Sequence, residues 1–445
     1  MNVLSKHFAF NCFIGMSRKA LFIVLLFVIL ITCNCENTKD YSNLEYTVID
    51  VGSDIGKGRV VDFSEIASEI TYIPLESKAE AFIGIAPVVF YENDRFYIRS
   101  SGSIKMFDRK GKYLYTFNRK GRGPQEYEWG VPWVEKGSGG FYIEDRKVDC
   151  KVIKIYDRDG NFKKEISVPQ SEDMFSKLNR YATNCFISRL IPRVYKDGRE
   201  YFAIMFDTLS NIRGFVPTPP IDPRLVKSKK TQNTSLPKNV KLVYSPDQLD
   251  VGYVLHTFKD SIRVYTLYGD TIYSFRDSNT LFPRYVLDYG HYTPSKIYID
   301  QDGDAPPKQI TLDNGFYFET DKYLLLYFRL GYYAHEPYYG KKAYLLASTH
   351  EYTIRHAIGY FNKITNKFTL MNQPTKGMLG FRDDFEQGPP FVPMYLSGDN
   401  YIVTAYYPQT LIEYASKHKV SGRLQQLIDG LNENDNLVIA IAKLK

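Results

Sequence analysis

The fold this chain predicts is all-β: a six-bladed β-propeller with long inter-strand loops and a short helical excursion before a C-terminal closing strand. Three observations carry that expectation. Residues 104–117 read "IKMFDRKGKYLYTF" and residues 153–166 read "IKIYDRDGNFKKEI", a hairpin written twice with starts 153 − 104 = 49 residues apart. Strand-like runs then follow one another with little helical interruption. They draw on 37 Tyr and 29 Phe among 445 residues, types that suit a pleated, half-buried surface. The final "NLVIAIAKLK" returns to strand after a helical stretch.

Taken in order, residues 1–32 read as a leader. Arg18 and Lys19 precede an apolar run from Ala20 to Ile31, too short to span a bilayer comfortably and of signal-peptide length. It ends Leu30-Ile31-Thr32-Cys33, similar to a bacterial lipobox, so Cys33 is the expected site of lipidation. Met16-Ser17-Arg18-Lys19 also reads as a signal opening, which makes Met16 an alternative start. An uncleaved anchor over residues 8–32 is the competing reading. Both place the globular part outside the cytoplasm, and the lipobox assigns it to the outer membrane, facing either the periplasm or the surface. Residues 33–44 read as a polar tether, and residues 45–445 as the propeller domain.

Each copied hairpin turns on Asp-x-x-Gly, Asp108-Arg109-Lys110-Gly111 and Asp157-Arg158-Asp159-Gly160. Asp bonds its own backbone in such turns and Gly accepts positive φ. A repeat of this length cannot bury a core alone and must stack on neighbours. Further strands are expected in "FYIED" (141–145), "IRVYTLYGDTIYSF" (262–275) and "DKYLLLYFRL" (321–330). Residues 352–371 carry another hairpin, turning at Lys363-Ile364-Thr365-Asn366. Long loops are expected at 171–195, 216–239 and 293–309. A helix is expected over 411–431, broken near Val420–Gly422. The terminal strand, 437–444, is expected to pair in a blade begun by N-terminal sequence, because closure removes exposed sheet edges.

Composition excludes some classes. The formal net charge is +7, and losing Lys6, Arg18 and Lys19 with the leader leaves about +4. Clusters such as Arg119-Lys120-Arg122 lack interleaved aromatics, so no nucleic-acid partner is expected. Of five cysteines only Cys150 and Cys185 fall in the fold, which is no disulfide framework; pairing and free thiols both remain open.

The chain resembles the six-bladed propeller lipoproteins of Gram-negative gut bacteria, a mostly uncharacterised family similar in style to NHL-repeat propellers. The resemblance covers nearly the whole mature chain. It rests on "ITYIPLES" (70–77), the stretch from Ile104 through "GRGPQEY" to Tyr127, and "YGDTIYSF" followed by "PRYVLDYG" (283–290). It rests also on "DDFEQGPPFVP" (383–393) and the closing "ENDNLVIAIAKLK". It implies the fold and supplies no reaction.

No catalytic motif stands out, so catalytic residues are left unassigned. His350 and His356 have the wrong spacing for a zinc helix, and no third ligand is identifiable. Asp300, Asp302 and Asp304 repeat the opening of a calcium loop, but Ala305 replaces its Gly and Thr311 its Glu. High-affinity calcium, or any cofactor, is therefore not expected. Two groups are candidate ligand contacts: Arg122, Glu126 and Tyr127 in a Gly-x-Gly-Pro-x-Glu-Tyr element, and Asp383, Asp384 and Glu386. The expected function is a monomeric, lipid-anchored binding or scaffold module for a glycan, peptide or envelope protein. The alternative is a hydrolase or lyase with carboxylates in the central pocket, and a structural subunit of an envelope complex is a third reading. Convergent acids and histidines would favour the enzyme, and an aromatic-lined face would favour binding.

Overall fold

The Asp108 carboxylate builds its turn as the sequence requires, accepting the N–H groups of Lys110 (2.8 Å) and Lys112 (2.9 Å). Asp157 does the same for Asp159 and Asn161. So does Asp207 for Leu209 and Asn211, a third copy that sequence comparison passes over. Gly111 and Gly160 take positive φ in the first two turns, but Ser210 takes it in the third, at 65°.

These hairpins sit in a computed structural model. It describes residues 46–84, 87–100, 102–147, 150–169, 179–182, 185–196, 199–220, 222–226, 253–259, 261–275, 280–298, 308–334, 340–341 and 356–445. Strands β1 (Thr47–Asp50) and β2 (Ala67–Pro74) come first and join blades completed later. Blade 1 is β3 (Val88–Glu92), β4 (Arg95–Ser100), β5 (Ser103–Asp108) and β6 (Tyr113–Phe117). Blade 2 is β7 (Pro132–Val134), β8 (Phe141–Arg146), β9 (Lys151–Tyr156) and β10 (Phe162–Ser167). Blade 3 is β11 (Asn179–Ala182), β12 (Cys185–Lys196), β13 (Arg199–Asp207) and β14 (Ile212–Pro217), followed by the short β15 (Leu225–Val226). Blade 4 is β16 (Tyr253–Phe258), β17 (Ser261–Thr266), β18 (Thr271–Phe275) and β19 (Phe282–Asp288), with β1 added outside. Beyond it β20 (Ile297–Tyr298) pairs in parallel with β15. Blade 5 is β21 (Thr311–Glu319), β22 (Tyr323–Arg329), β24 (His356–Asn362) and β25 (Lys367–Leu370). The short β23 (Gly340–Lys341) pairs in parallel with β26 (Gly377–Met378). Blade 6 is β27 (Tyr395–Leu396), β28 (Tyr401–Tyr406), β29 (Val438–Leu444) and, outermost, β2.

The expected closure is present. β29 lies between β28 and β2, paired with β2 from Ala67↔Leu444 to Pro74↔Val438 with one irregularity between Ala67 and Glu69. Leu437, Val438, Ile439 and Ala440 are fully buried. Asn436 fastens the joint: its Nδ2 donates to the Glu76 and Ala81 carbonyls, and its Oδ1 accepts the Ile83 N–H. The helical excursion is α1 (Pro408–Lys417) and α2 (Gly422–Asp429), with Ser421 capping the second through Leu424 N–H.

One expectation needs correction. Residues 171–195, expected from the sequence as a long loop, contain β11 and most of β12. The β12–β13 register shifts between Arg189 and Val194, across Pro192, and such an irregularity accommodates a residue that cannot donate to the ladder.

Innermost strands of neighbouring blades touch, β27 against β3, β11 against β16 and β16 against β21. Because successive strands are antiparallel, alternate connections emerge on opposite faces. One face carries tight turns, such as those at 93–94, 109–112, 208–211 and 363–366. The connections at 118–131, 218–252, 289–310, 330–355, 371–394 and 407–437 all start from the other face.

The tight-turn face holds buried polar networks. Glu92, at the end of β3, accepts Tyr395 Oη (2.7 Å), Gly398 N–H (3.0 Å) and Gly137 N–H (2.9 Å), tying blades 6, 1 and 2. Glu319, in the same position on β21, accepts Arg263 Nε (2.8 Å), Lys363 Nζ (2.7 Å), Tyr285 Oη (2.8 Å) and Tyr317 Oη (2.6 Å). Its side chain is 1% exposed. Burial alone would raise the Glu319 carboxyl, but Arg263 and Lys363 outweigh it and hold it below the usual range.

Candidate functional site

On the loop-bearing face the β6–β7 connection crosses the edge of blade 2. Gly121 N–H donates to Tyr127 O and Tyr127 N–H to Arg119 O, both at 3.0 Å, closing the segment on itself. Glu126 folds back so that its Oε2 accepts Gly123 N–H (2.8 Å). A Cβ on Gly121 would meet that carboxylate, the movable end of the Glu126 side chain. Tyr127 is fully buried, stacked near Phe117 with its hydroxyl on the Gly102 carbonyl (3.2 Å). Blade 2 holds the connection from below: Tyr156 Oη reaches Gln125 O (2.8 Å) and Lys154 Nζ reaches Pro124 O (3.0 Å).

Beyond Tyr127 the chain opens a cleft of about 1070 Å³ between this connection and the β8–β9 turn. Asp145 shapes it by accepting the N–H groups of Glu128 and Trp129 (3.0 Å for the latter). Trp129 is thereby held at the rim, 70% exposed as a residue. Arg122, 88% exposed, stands 3.5 Å from Glu128. Across the cleft Glu165 pairs with Lys147 and with Lys154 (2.9 Å). Burial alone would raise the Glu165 carboxyl, and the two lysines hold it low. Cys150 also lines this cleft as an exposed free thiol. A second aromatic group lies on the same face, where Tyr292 meets Tyr333 (4.9 Å) and Tyr332, 57% exposed, lies under Lys308 (5.0 Å).

The acidic candidates stand elsewhere. Asp383 and Asp384 line a separate cleft of about 390 Å³ with Arg382, Tyr414 and His418. Asp383 is buried against the outermost strand, accepting Tyr72 Oη (2.7 Å) and the N–H groups of Phe385, Glu386 and Gly388. Burial pushes its carboxyl up against those bonds. Asp384 accepts Ser64 N–H (2.9 Å), and Glu386 is held by Ser421 and Arg423. Glu126 and the Asp383 group are therefore not brought together. Asp300, Asp302, Asp304, His350 and Cys33 lie outside the described residues. His356 is buried on β24, 3.8 Å from Asp313. No cluster of three metal-ligating side chains occurs among the described residues.

Sequence reasoning passed over Trp129, Arg146 and Lys147. The available signal was a large aromatic directly after a rigid Gly/Pro element. A profile described as a domain of unknown function, DUF4934, matches residues 46–443. This chain belongs to the DUF4934 family. No curated protein matches it in sequence. In structure this DUF4934 member is similar to a Bacteroides fragilis protein described as exported. The two share 14% identity with a TM-score of 0.53, over 90% of this chain and 100% of the other. It is also similar to a DUF4221 family member from Bacteroides vulgatus (10% identity, TM-score 0.46, 85% and 97% covered). A further similarity is to apo AztD from Citrobacter koseri (11%, 0.33, 77% of each). The first of these shares the propeller fold; the likenesses carry no activity across.

Proposed function

We propose that this DUF4934 protein is an extracytoplasmic, lipid-anchored propeller that binds a glycan through its loop-bearing face. The observation that carries the reading is Trp129, held open at the rim of a large cleft whose walls alternate charge. Flat aromatic faces pack against sugar rings, and neighbouring Arg and carboxylate groups hydrogen-bond hydroxyls. The carboxylate candidates stand in separate clefts and are occupied by backbone and side-chain donors, which favours binding over hydrolysis or elimination. The anchor is Cys33, motivated by the basic start, short apolar run and lipobox-like end. Mass spectrometry of the membrane fraction should find a diacylglyceryl Cys33; a retained apolar segment would sink that part. For the ligand, a glycan array followed by calorimetry on the hit should give binding that Trp129→Ala abolishes. A folded Trp129→Ala protein that binds glycans as the wild type does would overturn the assignment, and so would an array in which only peptides bind.

A further inference from the structure

Arg99 is the penultimate residue of β4, at its end on the loop-bearing face and at the inner junction of blades 1 and 2. Its guanidinium lies 4.1 Å from the centre of the Trp133 ring and 5.8 Å from that of Phe90, both on innermost strands. One N–H, on Nη1, reaches the Pro132 carbonyl at 3.3 Å. The Nε–Nη2 edge has no hydrogen-bond partner among the described residues.

Other arginines of the molecule are treated differently. Arg59, Arg224, Arg263, Arg382 and Arg423 each pair with a carboxylate. Arg99 is partly buried with no carboxylate to pair with among the described residues. Burial holds its pKa below the ordinary value, whereas each of those five lies above it. Desolvating a cation without an anion is costly, and stacking on an indole recovers only part of that cost. The stack also fixes the guanidinium plane, so its two free parallel N–H groups form a fork of the shape that matches an oxyanion.

We propose that Arg99, braced by Trp133, Phe90 and Pro132, is a binding site for an oxyanion, either a carboxylate or a phosphate group, at the inner end of the loop-bearing face. The anion supplies the missing counter-charge and bonds in two places to the Nε–Nη2 edge. The site is separate from the Trp129 cleft and does not depend on what that cleft binds.

The chain has two tryptophans, Trp129 and Trp133, which makes the site observable. In full-length Trp129→Phe, Trp133 is the sole indole reporter. It is titrated at constant ionic strength with sodium acetate in one arm and sodium phosphate in another, with sodium chloride as the control. A saturable change in Trp133 emission is expected in at least one anion arm and not with chloride. Saturation by acetate alone assigns a carboxylate ligand, by phosphate alone a phosphorylated one, and by both the shared oxyanion chemistry. Arg99→Lys keeps the charge but loses the fork, and should weaken the response about tenfold, the scale of one charge-assisted hydrogen bond. The melting temperature of the wild type should rise with the same anion, and that of Arg99→Lys should not. No saturable response in either arm, or an undiminished one in folded Arg99→Lys, would show Arg99 to be an aromatic brace only.

Discussion

The two faces of the propeller are built for different ends. The tight-turn face spends its polar residues on itself: Asp108, Asp157 and Asp207 close turns, and Glu92 and Glu319 bind blade to blade. The loop-bearing face leaves side chains unspent, with Trp129, Tyr332 and Arg122 standing in solvent. Long connections tolerate sequence change at little thermodynamic cost, and they are where binding groups are found on rigid scaffolds. The contrast teaches where to look for stability and where to look for ligands in this family.

The sharpest way to break the contrast is to open the ring that both faces share. Deleting residues from Asn436 onward removes β29 and the Asn436 fastening. Burying one large apolar side chain is worth about 1.5–3 kcal/mol, and whole domains are stable by about 5–15 kcal/mol. Cooperative unfolding should therefore disappear from a thermal melt. A single sharp transition near the wild-type temperature would show the terminal strand to be peripheral.

Next in size is Glu319→Ala, which leaves Arg263 and Lys363 buried without their acid. Breaking such a pair costs about 3–5 kcal/mol, read as a lower denaturant midpoint. The effect has a pH signature. The folded-state pKa of Glu319 lies below the ordinary 4.5, so its contribution is complete above that value and is lost as the pH falls through the lower folded-state one. The stability gap between wild type and Glu319→Gln should narrow on acidification from pH 7; a gap that widens would contradict the ion-pair account.

Smaller effects test single turns. Asp108→Ala removes the acceptor of two backbone N–H groups and should cost about 1–2 kcal/mol by urea titration. Gly111→Ala should cost at least as much, because the residue sits at φ 83° and a Cβ would strike the Pro74 carbonyl. On the other face Trp129→Ala should change stability by less than about 0.5 kcal/mol, while removing ligand binding. A large loss of stability there would erase the distinction between the faces.

How much of this was legible depended on whether the signal was local. The Asp108 and Asp157 turns announce themselves in four residues, and the break between α1 and α2 and the strand β29 were readable from pattern alone. The Asp207 turn was not, because Ser210 replaces the expected Gly. β12 fell in the stretch expected as loop, and its ladder is broken by a register irregularity that spans Pro192. The Glu319 network was beyond reach, since its members come from three hairpins far apart in sequence. The candidate site was legible only in part. The Gly121–Tyr127 element does form one wall of the cleft, but most of its polar groups go into holding its own shape. Trp129 and the stack of Arg99 on Trp133 depend on which way a connection leaves its blade, and one-dimensional spacing does not record that.

The shared closing blade has a consequence in time. β2 is made well before β29, so it waits for its ladder partner until the strands of blades 1 to 5 have emerged. During that interval its edge is open to any passing strand. Its sequence is suited to the wait: Ser68, Glu69 and Thr71 stay on the solvent side and Pro74 ends it, which discourages pairing with strangers. Closure of the ring thus waits for β29, and until that strand has emerged the propeller stands open at β2.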